Sequence, residues 1–162
     1  MPQPNAVIQD TPSNQNIGKL WFNRNQYLTF RYFGTTTNNT ATELFIDGIA
    51  NNRLKIPNAS ACLVKCDCVI FNITDSFSGG VGKTAVVENL ANVVTLAGAE
   101  QATPALWGDN TNNPGGTIVI SESDANDAVV FTVTGTSAKT IAYEALVTVV
   151  CATSPESNFG VL

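Results

Sequence analysis

Four cysteines are the residues best suited to bind a metal ion or to form a covalent cross-link. Cys62, Cys66 and Cys68 lie close together, and Cys151 lies far along the chain. Four thiolates can hold zinc, but zinc knuckles use Cys-x-x-Cys turns. Here the first three share the parity of a strand with Val64, so they point to one face. We expect reduced thiols buried in the core, with one disulfide or a zinc site as the alternatives.

A glycine-rich segment, Ser78–Thr84, is the second candidate for chemistry. Its sequence, Ser-Gly-Gly-Val-Gly-Lys-Thr, resembles the phosphate loop of the partitioning ATPases, Lys-Gly-Gly-Val-Gly-Lys-Thr, in which Lys83 would reach the terminal phosphate. The first lysine of that loop is Ser78 here. The residues that follow, up to Leu96, are rich in β-branched and turn residues where the loop requires a helix. We therefore expect a flexible glycine-rich hairpin loop and no cofactor.

Ordinary acid–base and metal chemistry has little support elsewhere in the chain. There is no histidine, which removes the commonest general base and the commonest metal ligand. Most aspartates fall in turns, and the weak calcium pattern at Asp124-Ala125-Asn126-Asp127 lacks the twelve-residue loop that ends in Glu. Without histidine, no ordinary serine triad can form. We expect no enzymatic activity.

Charge and composition exclude two classes of partner. The net charge is −5, and the eight basic residues are scattered, whereas binding to nucleic acid needs clustered positive charge. No stretch approaches the roughly 20 apolar residues that span a bilayer, and no signal peptide is visible at the start. Only 13% of residues are charged, which suits proteins that pack against neighbouring subunits. We expect a partner that is protein, with neither nucleic acid nor membrane bound.

Alternating apolar residues and frequent turn residues predict an all-β fold, an antiparallel β-sandwich or jelly roll with an extended N-terminal arm. We divide the chain into an arm at residues 1–18, a β-sandwich domain at 19–153 and a short tail at 154–162. In Thr84–Leu96 the valines favour strand over helix. The predicted β segments are Leu20–Phe33, Leu44–Ile46, Leu54–Ile56, Ala61–Ile73, Thr84–Leu96 with a break near Asn89–Asn92, Thr117–Ser121, Ala128–Thr134 and Thr140–Cys151.

Three segments of the chain match successive parts of one known module. Residues 35–48, Thr-Thr-Thr-Asn-Asn-Thr-Ala-Thr-Glu-Leu-Phe-Ile-Asp-Gly, are similar to its opening, and Leu54–Asn58 to a short strand ending Ile-Pro-Asn. Val133–Tyr143, Val-Thr-Gly-Thr-Ser-Ala-Lys-Thr-Ile-Ala-Tyr, is similar to its close. Together these segments resemble a module of phage virion proteins and prophage-encoded surface proteins. The resemblance covers residues 35–152 and departs from the module in two places: at Ala61, near which the module has a Trp, and at Tyr143, where the last strand of the module has a Trp. It implies a β-rich structural module, commonly at the ends of fibrous and often trimeric phage proteins, without catalytic residues.

The resemblance leads us to predict a structural protein of a phage particle. Because the module stands nearly alone, preceded by about 34 residues with no shaft repeat, we predict a capsid decoration, or cement, protein. It would sit as a homotrimer on the capsid surface, bind the major capsid protein and assemble in the host cytoplasm. The alternative is a short tail fibre or spike whose loops around Trp107–Pro114 contact host glycan. The residues predicted to make subunit contacts are Trp21, Phe22, Tyr27, Phe30, Tyr32 and Phe33.

Overall fold

The fold was analysed in a computed structural model that describes residues 27–102, 106–107 and 114–153. The predicted arm at 1–18 and the predicted tail at 154–162 lie outside these residues. The described chain is antiparallel β-structure with one short 3-10 turn at Asp124–Asn126. Its strands are β1 Tyr27–Thr36, β2 Ala41–Ile46, β3 Leu54–Lys55, β4 Ser60–Asn72, β5 Phe77–Leu90, β6 Val93–Leu96, β7 Gln101–Ala102, β8 Leu106–Trp107, β9 Thr117–Ser123, β10 Ala128–Thr134 and β11 Ile141–Thr153.

The prediction of an all-β, antiparallel fold is confirmed, and its arrangement is a single curled sheet. The strands follow the order β3-β10-β2-β1-β11-β4-β5-β6, with β9 on β10, and β7 and β8 on β5. The sheet curls until β9 lies against β5 and β6, so two parts of one sheet enclose the core. Thr84–Leu96 is strand with a break at Ala91 and Asn92, as its valines indicated. Within the described residues, no helix is long and apolar enough to span a membrane.

The centre of the sheet is the long ladder between β4 and β11. Thirteen residue pairs join the two strands, from Asn72 opposite Ile141 to Ser60 opposite Thr153. Burial along β4 alternates strictly, because successive side chains of a strand point to opposite faces. The side chains that β4 sends into the core are Cys62, Val64, Cys66, Cys68 and Ile70, each at most 3% exposed.

The core is closed around two aromatic rings from strands on either side of β2. Tyr32 on β1 lies 4.7 Å from Phe131 on β10, ring centroid to ring centroid. The hydroxyl of Tyr32 accepts a hydrogen bond of 3.1 Å from the backbone N–H of Leu54 on β3. Pairing the polar end of a buried tyrosine in this way avoids the cost of an unsatisfied hydroxyl.

The glycine-rich segment is not the hairpin loop we predicted. The chain reverses between β4 and β5 at residues 73–76, and Gly79–Gly82 lie inside β5, paired with β4. The side-chain oxygen of Asn72 accepts a hydrogen bond of 3.1 Å from the N–H of Asp75, and Ser76 adopts a left-handed φ of 60°. This turn chemistry places the reversal ahead of the glycines, which then extend as strand because their partners on β4 are in register.

Side-chain carboxylates replace a backbone ladder where the curled sheet meets itself. Glu100 accepts a hydrogen bond of 2.8 Å from the N–H of Ile120 on β9 and pairs at 2.6 Å with Lys83 on β5. Asp124 accepts a hydrogen bond of 3.0 Å from the N–H of Val94 on β6. These bonds satisfy strand N–H groups that have no ladder partner on that side. We call this junction the seam.

We expect Glu100→Ala to reduce the free energy of unfolding by about 2 kcal/mol, because it leaves both the Lys83 ammonium and the Ile120 N–H unpaired. The Lys83 and Glu100 side chains are only 17% and 21% exposed, so water compensates little. Urea denaturation measures the loss. The matched control is Glu144→Ala, whose pair with Arg31 is exposed at 58% and 57% and should matter much less. Equal losses in the two variants would contradict the role given to the seam.

Candidate interaction surface

The middle of the sheet has a broad face that no other described element covers. It is formed by β1, β11, β4 and β5, the four strands joined by the longest ladders. The alternation that sends half of their side chains into the core sends the other half to solvent. We call this surface the outer face, and its exposed side chains are Thr29, Arg31, Phe33, Thr35, Leu63, Lys65, Asp67, Val69, Phe71, Ser78, Val86, Leu90, Glu144, Leu146, Val150 and Ala152.

One end of the outer face carries a shallow groove with apolar walls. The groove has a volume of about 310 Å3 and is lined mainly by β1, β4 and β11. Phe33, Val69 and Phe71 stand in it at 38%, 61% and 43% exposure, and Leu146 lies beside them at 51%. We call these four side chains the groove patch. Large apolar side chains exposed together on a sheet are typical of a surface that contacts another molecule.

The groove patch also carries a charged pair. The Arg31 Nε donates a hydrogen bond of 2.8 Å to Glu144 Oε1, and the same guanidinium lies 5.0 Å from the centroid of the Phe33 ring. This hydrogen bond is the main cause that raises the pKa of Arg31. An apolar centre that includes Arg and aromatic side chains is the composition found at the cores of protein–protein interfaces.

A second apolar group lies at the opposite end of the outer face. Val150, Leu63 and Val86 stand side by side on three neighbouring strands, at 51%, 47% and 42% exposure. We call them the terminal patch. A row of polar side chains separates it from the groove patch, and these are Thr29, Thr148, Lys65 and Thr84.

The aromatic residues that were predicted to make subunit contacts differ in where the structure places them. Phe33 lies on the outer face. Tyr32 is 1% exposed in the core, so it is not placed for a subunit contact, whereas Phe30 is only partly buried against that core and its contact stays a prediction. Their parity in β1 points them inward, which aromatic content alone does not reveal. Trp21 and Phe22 lie outside the described residues, and of Tyr27 only the backbone position at the start of β1 is described.

Sequence reasoning missed most of the groove patch. Val69 and Phe71 lie in β4, and Leu146 lies in β11, at positions where alternation assigns the outward face. A strand with water on one side normally carries polar residues there. The signal was therefore present in the sequence as apolar residues at outward positions of two strongly alternating strands.

The glycine-rich segment cannot act as a phosphate loop in this fold. Its residues are paired along β4, and β5 continues as strand to Leu90. The ammonium of Lys83 faces the seam and is held at 2.6 Å by Glu100. A phosphate loop needs free backbone N–H groups at the start of a helix. Lys83 is therefore a structural residue here.

The cysteines follow the prediction of buried thiols in part. Cys66 and Cys68 are free and buried, and burial raises the pKa of the Cys68 thiol to about 12 and also raises that of Cys66. Cys62 and Cys151 form a disulfide between β4 and β11, so the expectation of four reduced thiols is wrong for this pair. They meet because the β4–β11 register sets them directly opposite each other.

The loop proposed for glycan contact lies mostly outside the described residues. Leu106 and Trp107 form β8, which pairs with Gly80 and Gly79 on β5, and residues 108–113 are not described. Pro114 is buried, and its carbonyl accepts a hydrogen bond of 3.2 Å from the Asn72 side chain. The glycan contact stays a prediction.

No protein-family profile and no curated protein matches the chain. Among solved structures, the tailspike protein of Acinetobacter baumannii phage AM24 is similar over 78% of this chain and 27% of its own, with 11% identity and a TM-score of 0.39. The tailspike protein of Acinetobacter phage vB_ApiP_P1 is similar over 90% of this chain and 26% of its own, with 13% identity and a TM-score of 0.31. The chain thus spans about a quarter of each protein. A likeness this low decides neither partner nor activity.

We expect the oxidised, unfolded protein to show two reactive thiols per chain, those of Cys66 and Cys68, and four after reduction. The folded protein should show almost none at pH 8, because a thiol with a pKa far above 8 is seldom a thiolate. Titration with a thiol reagent, with and without urea, measures all three states. Four thiols in the unfolded protein before reduction would contradict the Cys62–Cys151 bond.

Proposed function

We propose that the chain is a non-enzymatic structural module of a phage particle. We place it in a tail fibre or tailspike, where other subunits contact its outer face. The proposal is supported by the positions that the fold gives to the phage-like motifs and by the composition of the groove patch.

The observation that carries the proposal is that the two ends of the phage-like module meet in the fold. Residues 41–46, from its opening, form β2, and residues 128–134, which lead into its close, form β10. Thr134 pairs with Ala41 and Val133 with Thr42. The close then continues into β11, where Ile141 pairs with Thr36. Segments that are distant in sequence but adjacent in space behave as one structural unit.

Residues of the phage-like segments stabilise turns and strand connections of the fold. Gly48 has a φ of 67°, and a Cβ there would lie 2.6 Å from the Phe33 ring, so a larger residue in the turn after β2 would be strained and would displace that ring. Lys139 pairs at 2.6 Å with Asp75, which joins the approach to β11 to the turn after β4. The hydrogen bond from Lys139 is the main cause that lowers the pKa of Asp75. These residues hold turns and strands together, which supports a structural role.

The outer face supports assembly with other subunits. The groove patch combines four exposed apolar side chains with the Arg31–Glu144 pair, and this pair adds no net charge. Burying such a face removes apolar area from water without stranding an unpaired charge. The predicted homotrimer is consistent with this face and stays a prediction.

The tail is preferred over the capsid because the resembled module is typical of the ends of fibrous proteins. The predicted capsid location, with the major capsid protein as partner, depended on the short stretch of chain outside the module. The presence of that stretch does not distinguish a decoration protein from a segment of a longer fibre. The capsid location therefore stays a prediction that the same experiments test.

We expect phage that carry Val69→Glu to incorporate at least about tenfold less of this protein into particles, because a carboxylate buried in the contact costs more than 1.4 kcal/mol. Quantitative mass spectrometry of purified particles measures incorporation. Val69 is 61% exposed, so the free protein should keep its fold and melting temperature. Ile49→Glu, at 49% exposure in the turn after β2, is the matched control and should be incorporated normally. Equal incorporation of both variants would show that the groove patch makes no contact.

Immunogold labelling of intact particles tests the location. We expect antibodies raised against the chain to label the ends of the tails. Label on the heads would favour the decoration protein, and particles without label or matching peptides would contradict a virion role altogether.

A further inference from the structure

The chain enters the described sheet directly beside the terminal patch. Tyr27, the first residue of β1, pairs with Val150 on β11. Val150 pairs with Leu63, and Leu63 pairs with Val86. The row that begins at the start of β1 thus runs straight across the terminal patch. The covalent connection to residue 26 therefore lies at this end of the outer face.

The terminal patch is a surface on which apolar side chains can pack. Its three residues are each between 42% and 51% exposed and stand on adjacent strands. Strands lie about 4.8 Å apart, so the row from Tyr27 to Val86 spans about 14 Å. The polar row with Thr148 and Lys65 bounds it on one side. Three aligned aliphatic side chains exposed to water gain free energy when a large ring covers them.

The residues before β1 supply such rings at the right distance. Trp21 and Phe22 lie six and five residues before Tyr27. An extended chain rises about 3.3 Å per residue, so five residues can reach about 17 Å, slightly more than the width of the row. The residues between, Asn-Arg-Asn-Gln at 23–26, are polar, and asparagine favours a reversal of the chain.

A short connection also favours the same chain over a second one. A segment joined to its packing surface by a few residues is present there at an effective concentration in the millimolar range. A second copy would have to compete at its much lower concentration in solution.

We propose that Trp21 and Phe22 fold back onto the terminal patch of their own chain. This contact covers one end of the outer face and leaves the groove patch open to other subunits. It makes the aromatic residues before β1 part of the domain, in contrast to the predicted role of Trp21 and Phe22 in subunit contacts.

Tryptophan fluorescence of the isolated full chain tests the proposal, because Trp21 and Trp107 are its two tryptophans. In Trp107→Phe the emission of Trp21 should be blue-shifted, and acrylamide should quench it several-fold less than in urea. Adding Leu63→Glu should shift the emission to the red and raise quenching towards the unfolded value. The matched control, Val69→Glu, alters an exposed residue at the other end of the same strand and should change neither. If Trp107→Phe does not fold, the difference between the wild-type and Trp21→Phe spectra gives the same quantity.

Two results would overturn the proposal. If Trp21 in the folded chain has the emission and the acrylamide quenching of a water-exposed tryptophan, it does not pack on the terminal patch. Protection that disappears on dilution would show that a second copy supplies the ring. Because this test uses the free chain, its outcome is independent of whether the protein is found in phage particles.

Discussion

The antiparallel ladder between β4 and β11 is the interaction on which the rest of the structure depends. Its thirteen pairs lie in the middle of the sheet, where β1 flanks β11 and β5 flanks β4. Because the period of a strand is two residues, a slip of one residue would exchange the buried set with the exposed set. The Cys62–Cys151 disulfide joins two residues that are opposite in this register. The ladder therefore fixes both the core and the outer face at once.

The residues that first suggested chemistry are used by the fold. Lys83 and Asp124 serve the seam, where the curled sheet meets itself without a backbone ladder. Asp75 pairs with Lys139, and the buried thiols of Cys66 and Cys68 fill the core beneath β4. A charged or polar group in such a place is satisfied by specific partners, as burial requires. The outer face keeps two groups of exposed apolar side chains, divided by a polar row, together with paired charges, and this composition suits contact with protein.

The sequence predicts the long central strands well. The boundaries of β4 and β11 lie within one or two residues of the predicted segments, because alternation over thirteen residues leaves little freedom. The loop predicted for the glycine-rich segment was wrong because glycine is only a local indicator of a loop. The turn is instead placed by the hydrogen bond between Asn72 and Asp75. The disulfide depends on a register between residues 89 positions apart, which no local pattern contains. The curling of one sheet, in place of two stacked sheets, is likewise a tertiary property.

The candidate surface was harder to foresee than the fold. Aromatic density drew attention to the segment before and within β1, yet Tyr32 belongs to the core, and of the β1 rings whose side chains are described only Phe33 is exposed. The decisive residues, such as Val69 and Phe71, are ordinary strand residues whose importance comes from facing away from the core. A cryo-EM map of the assembled phage particle tests this account most directly. We expect Val69 and Phe71 to be buried against a neighbouring subunit in the tail, and a map in which they face solvent while other surfaces make the contacts would contradict it.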